Sequence, residues 1–139
     1  AACGALWNLA FNHQNCELIG KAGGIERIVK AIVLIIESEF QHIACDAMLN
    51  LANNKYYCEV IIEHIMKTMD DHVDNAKSQQ NACGALSFLV QNPQNREMIV
   101  KAGGIECVGR AMNRHFQDAG VRRVAFDVLS KLCEKESKP

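Results

Sequence analysis

Twelve side chains in this sequence are of the types that most often carry catalysis or bind metals: five histidines and seven cysteines. The histidines stand at 13, 42, 64, 72 and 115, and the cysteines at 3, 16, 45, 58, 83, 107 and 133. A zinc site needs ligands in close pairs, because one short segment must present two donors to one ion. No two cysteines form such a pair, and the histidines fall in separate parts of the chain. The densest group of ligand types is "DDHVD" at 70–74. It stands at the end of a helical pattern and reads as a solvated turn. "KAGG", at 21–24 and 101–104, lacks the rest of a phosphate-binding loop, and no HExxH or nucleophile elbow is present. The sequence therefore predicts no enzyme, no cofactor and no metal site.

The cysteines instead reveal how the chain is organised. Cys3, Cys45 and Cys83 share one position of a repeated segment, and Cys16 and Cys58 share another. At such positions cysteine serves as a small buried hydrophobe. Thiols kept reduced fit a cytoplasmic location, extending to the nucleus.

The repeat is plain in two stretches that start eighty residues apart. Residues 2–32 read "ACGALWNLAFNHQNCELIGKAGGIERIVKAI", and residues 82–112 read "ACGALSFLVQNPQNREMIVKAGGIECVGRAM". More than half of the positions are identical, without a gap. A middle copy, "ACDAMLNLANNKYYCEVIIEHI", starts at 44, and a degenerate one, "AFDVLSKLCEK", starts at 125. A period near 40 is the mark of a two- or three-helix solenoid unit.

Each copy carries a helical stripe. Ala2, Leu6 and Leu9 recur at helix spacing, as do Ala44, Met48 and Leu51, then Ala82, Leu86 and Leu89, then Ala125, Leu129 and Leu132. Small alanines allow close approach of a neighbour, and nothing alternates with the period of a strand. "NHQN" and "NPQN" then introduce a short helix, about 17–21 and 97–101, with Pro93 suited to a first turn. Gly23 and Gly103 suit the left-handed residue that ends it, so that Ile25 or Ile105 opens the next helix. The middle copy lacks the glycines, and its spacing predicts a tighter or irregular corner at His64–Ile65.

With 139 residues, 49% of them apolar, the chain can build a core. Fifteen basic and sixteen acidic side chains leave a net charge of −1, which argues against nucleic acid or an anionic membrane surface as the main partner. No apolar run approaches the ~18 residues of a membrane span, and no secretory leader is recognisable. The start at Ala1, inside an apolar pattern, reads as a piece of something longer. Its first helix has no polar cover and is expected to be buried by an upstream unit or by self-association.

"GALWNLA" and "DAMLNLA", together with "NHQNCELIGKAGGI" and "NPQNREMIVKAGGI", resemble the armadillo repeat family over essentially the whole chain. The double-glycine corner favours this over the two-helix HEAT repeat. The resemblance implies an all-α, right-handed superhelical solenoid. Residues 1–12 would be the last helix of a truncated repeat, 13–54 a repeat, 55–92 a shortened repeat and 93–139 the C-terminal repeat. It also implies a concave groove, lined by the long third helices, that holds an extended peptide on a ladder of asparagines. The matching positions are Asn8 and Asn50, then Phe88 and Lys131, so the ladder changes character halfway. The tryptophan slots of nuclear-import adaptors fall here on Gly4, Asp46, Gly84 and Asp127, and Trp7 sits beside Asn8 instead.

Independent of the resemblance, asparagine is a poor interior helix residue, and its amide can pair with both the N–H and C=O of an extended chain. The rival reading is that Asn8 and Asn50 brace the following turn. His42, Gln80 and Arg123 lie one turn further back, giving a mixed groove with acids at Glu39 and Asp46 and bases at Lys77, Arg123 and Lys131. A peptide with a base facing Asp46 and an acid facing Lys131 would fit. Phe88 and Trp7 are candidate aromatic anchors, unless Phe88 merely packs on its neighbour. The expected function is a protein or peptide-binding scaffold. The alternative is a non-binding spacer or regulatory segment within a larger multidomain protein.

Overall fold

The computed structural model describes residues 13–35 and 41–134, and every regular element among them is an α-helix. The predicted first helix with Trp7 and Asn8, the linker carrying Glu39 and the polar tail from 135 lie outside the described residues. In chain order the helices are α1 (His13–Lys21), α2 (Gly24–Ile35), α3 (Gln41–Ala52), α4 (Lys55–Asp71), α5 (Ala76–Leu89), α6 (Pro93–Lys101), α7 (Gly104–Arg114) and α8 (Ala119–Leu132).

Side-chain caps mark the starts of α4, α5, α6 and α8. The Asn54, Asn75 and Asp118 side chains each accept a hydrogen bond from the backbone N–H three residues on, at 3.2, 2.9 and 3.0 Å. Asn92 accepts from Gln94 N–H at 2.8 Å, and Pro93 opens α6 as its missing donor allows.

At the α1/α2 and α6/α7 corners the two glycines do different jobs. Gly23 and Gly103 take φ of 74° and 87°, the left-handed region that side chains with a Cβ avoid. Gly24 and Gly104 are needed for room. A Cβ at Gly24 would stand 2.7 Å from the Ile19 carbonyl oxygen, and one at Gly104 2.8 Å from that of Ile99.

The corner expected at His64–Ile65 does not exist. Helix α4 runs uninterrupted from Lys55 to Asp71. Aligned on Cys58 with Cys16, the glycine positions of the other copies are held here by Ile65 and Met66. A β-branched residue strongly resists positive φ, so nothing stops the helix. Cys58, Ile61, Ile62, Ile65, Met66 and Met69 form one buried stripe through the point where the other copies break. The middle unit is thus two helices rather than three.

Helix α4 ends without a glycine by borrowing an amide. Gln79, 2% exposed in α5, donates from Nε2 to the Met69 and His72 carbonyls at 3.1 and 2.7 Å. The Met69 carbonyl would otherwise be orphaned at the helix terminus, whereas that of His72 also accepts from Asn75 N–H at 3.1 Å.

Packing follows repeat order. The medium-position helices lie against one another, α2 on α4 and α4 on α7, and the long ones do the same, α3 on α5 and α5 on α8. The short-helix ends also meet: the Tyr57 ring covers Gly20, and the Cys58 thiol donates to Asn95 Oδ1 at 3.2 Å. One continuous apolar cluster runs from Ile25 to Leu132. Helix α5 sits at its centre, with Ala82, Cys83, Ala85, Leu86 and Leu89 all fully buried.

Candidate functional site

Because α3, α5 and α8 pack in series, the predicted groove positions fall on neighbouring helices. On α3, Asp46 is exposed, Leu49 is 39% exposed and Asn50 is half-buried. The side chain of His42 lies outside what the structure describes. Among the described residues the Asn50 amide has no hydrogen-bond partner. The turn that follows is held by Asn54, whose side chain caps α4, and by backbone bonds from Asn53 and Asn54 to the Asn50 and Leu51 carbonyls.

Helix α5 departs from the expectation. Gly84 is buried, and its carbonyl accepts from Ser87 Oγ at 2.5 Å, so it lines no open surface. Gln80 lies against α8. A Cβ at Gly120 would stand 2.7 Å from Gln80 Oε1, so the glycine lets the two helices close together at that point. Phe88 is half-buried and packs against the core. The middle of the predicted line is therefore committed to packing, because α5 is covered from both sides.

On α8, Arg123, Asp127 and Lys131 are all exposed. Lys131 Nζ stands 3.5 Å from Glu134, which also takes Arg96 at 3.7 Å. Glu134 is shared between the two cations, so it offsets the charge of Lys131 only in part, and an acidic ligand residue facing Lys131 would compete with it. The exposed Lys77 lies near the start of α5.

Across the opposite side, α4 and α7 are joined by contacts that reading the sequence missed. Asp70 pairs with Arg110 at 3.2 Å, Asp74 pairs with Arg114, and His115 Nε2 meets the Val73 carbonyl at 2.7 Å. The carboxylates of "DDHVD" are exposed, as a solvated turn requires, yet two of them reach the next unit. The signal was available, since each partner lies 40 residues on, one repeat period. A cleft of about 480 Å³ separates these helices, lined by Met69, Val73, Cys107 and Ala111 beneath Arg110 and Arg114.

Three buried thiols among the described residues, Cys58, Cys83 and Cys107, are held in the protonated form. Burial, then the charge of Glu59, pushes Cys58 up to about 11, and burial, then Cys107, pushes Cys83 up to about 12. Burial also raises Cys107. A nucleophilic thiol needs the reverse shift. Among the described residues no three His, Cys, Asp or Glu side chains converge as a metal site requires, and no helix is long and apolar enough to cross a membrane.

Comparison of the chain with protein-family models, with curated proteins and with solved structures found no match in any of the three.

Proposed function

We propose that this chain is a protein-interaction scaffold, an armadillo-type right-handed solenoid that binds an extended segment along the face of α3, α5 and α8. The reading rests on one observation: helices bearing equivalent repeat positions lie side by side, with the Asn50 amide half-exposed and unengaged on the first. A free primary amide offers a donor and an acceptor to the backbone of an extended chain. Asp46 and Leu49 beside it, and Arg123 and Asp127 two helices away, supply side-chain contacts. Solenoids bind through such repeated faces.

The spacer reading draws on a specific feature too. Gly84 is buried and Gln80 is pressed against Gly120, which narrows the accessible line at its centre.

The two readings separate in a display selection with random 12-residue peptides against the folded chain, with Asn50→Ala as counter-target. Enrichment of peptides that lose at least tenfold in affinity for Asn50→Ala is the expected result. A selection that enriches nothing, or peptides indifferent to Asn50, leaves the spacer.

A further inference from the structure

The corner between α3 and α4 and the corner between α5 and α6 bring two helix starts to one place. A cleft of about 510 Å³ lies there, bounded by the first turn of α4 and one side of α6. It separates two consecutive units, both of which the structure describes. Asn95 of α6 stands in its wall and is 7% exposed. The Asn95 Oδ1 accepts from the Cys58 thiol at 3.2 Å. Its Nδ2 has no hydrogen-bond partner among the described residues, although buried amides are ordinarily paired.

The backbone donors at this place are only partly engaged as well. Asn54 and Asn92 cap the N–H groups of Tyr57 and Gln94, whereas those of Lys55, Tyr56 and Asn95 have no partner among the described residues. Neither helix has an acidic residue in its first turn, so no local charge offsets the positive end of either dipole. Four charged side chains line the cleft: Lys55, Glu59, Glu97 and Lys101. Glu97 is held by Lys101 at 3.2 Å, and Lys55 and Glu59 are exposed.

We propose that this cleft binds a small organic phosphate monoester. The phosphate sits between the two helix starts, where it accepts from Asn95 Nδ2 and from unengaged backbone N–H groups, and Lys55 supplies a countercharge. With its oxygen committed to Cys58, Asn95 presents donors alone, which suits an anion and not a cation. Glu59 is the opposing charge. The cleft exceeds what a phosphate group fills and falls in the size range of small-molecule sites, and Ala52 and Met98 give the organic part an apolar wall. The inference does not rest on the groove reading, because none of these side chains belongs to the predicted groove positions of α3, α5 and α8.

The test follows the backbone amide signals of the isotope-labelled chain by NMR at constant ionic strength. Glycerol phosphate, inorganic phosphate or sodium chloride is added to millimolar concentration. Glycerol phosphate is expected to move the signals of Lys55, Tyr56, Gln94 and Asn95 first and to bind severalfold more tightly than inorganic phosphate, while chloride leaves them in place. Lys55→Glu and Asn95→Asp should each weaken binding at least fivefold, and Glu59→Gln should strengthen it. Asn95→Asp keeps an acceptor for the Cys58 thiol. If circular dichroism shows that it does not fold, Lys55→Glu and Glu59→Gln carry the test, since both positions are exposed and an acidic residue suits a helix start.

Signals that stay in place with both phosphates overturn the inference. Shifts centred elsewhere, or shifts at the cleft that Lys55→Glu leaves unchanged, overturn it too. Inorganic phosphate that binds as tightly as the ester overturns it in favour of a site for the bare ion.

Discussion

The α6/α7 corner and the middle of α4 occupy the same place in their repeats, yet one is a sharp joint and the other is continuous helix. Two residues make the difference. Where Gly103 and Gly104 stand, the chain turns back through positive φ and passes within contact of the Ile99 carbonyl. Where Ile65 and Met66 stand, both side chains enter the core, at 0% and 9% exposure. A repeat unit of this chain can therefore exchange a joint for a buried stripe and still pack against both neighbouring units. Backbone freedom and apolar burial are alternative ways of satisfying the same position.

The most disruptive way to break this contrast is to force the joint into α4. Ile65→Gly/Met66→Gly removes two buried side chains and places two glycines inside a helix, for a loss of roughly 5 kcal/mol or more. Urea unfolding followed by circular dichroism measures it, and a loss under about 2 kcal/mol would mean that α4 accepts a corner. The reverse change sharpens the same point. Gly104→Ala drives a Cβ against rigid backbone and should cost about 2–3 kcal/mol. Gly103→Ala meets only the positive-φ penalty, about 1–2 kcal/mol. Equal losses at the two sites would dissolve the distinction between room and conformation.

Gln79→Ala tests how α4 ends without glycine. Leaving the Met69 carbonyl without its donor, and that of His72 with Asn75 N–H alone, should cost about 1–3 kcal/mol. Hydrogen exchange should quicken in the last turn of α4 first.

The smallest effect is a pH dependence. In the unfolded chain cysteine ionises near ~8.5, whereas in the fold Cys58 and Cys83 hold their protons to about 11 and about 12. A folded value raised above the unfolded one gives stability that is complete below the unfolded value and is lost as pH rises through the folded one. The urea midpoint should accordingly fall between pH 8.5 and 10.5, and fall less in Cys83→Ala. An unchanged midpoint over that range would contradict the protected thiols.

These residues also show what could be read from the sequence. The Gly23 and Gly103 joints, the Pro93 start and the apolar stripes of α5 and α8 are local, since each depends on a residue's own backbone preference or on helical spacing. The continuous α4 was misread at His64–Ile65 because the repeat imposed a joint that the residues themselves oppose. Local chemistry was the better guide there. Gln79 could not have been identified, as its role depends on the end of another helix. The groove positions were legible as register but not as exposure. Gln80 sits against α8 because Gly120 permits a close approach, and that is a property of the pair rather than of either residue.

The uninterrupted α4 also bears on the course of the chain. Seventeen residues at about 1.5 Å each give a rod of roughly 25 Å, set between units that each hold a two-glycine joint. Over that length the middle unit keeps one direction, whereas the units on either side of it turn, where α1 meets α2 and where α6 meets α7.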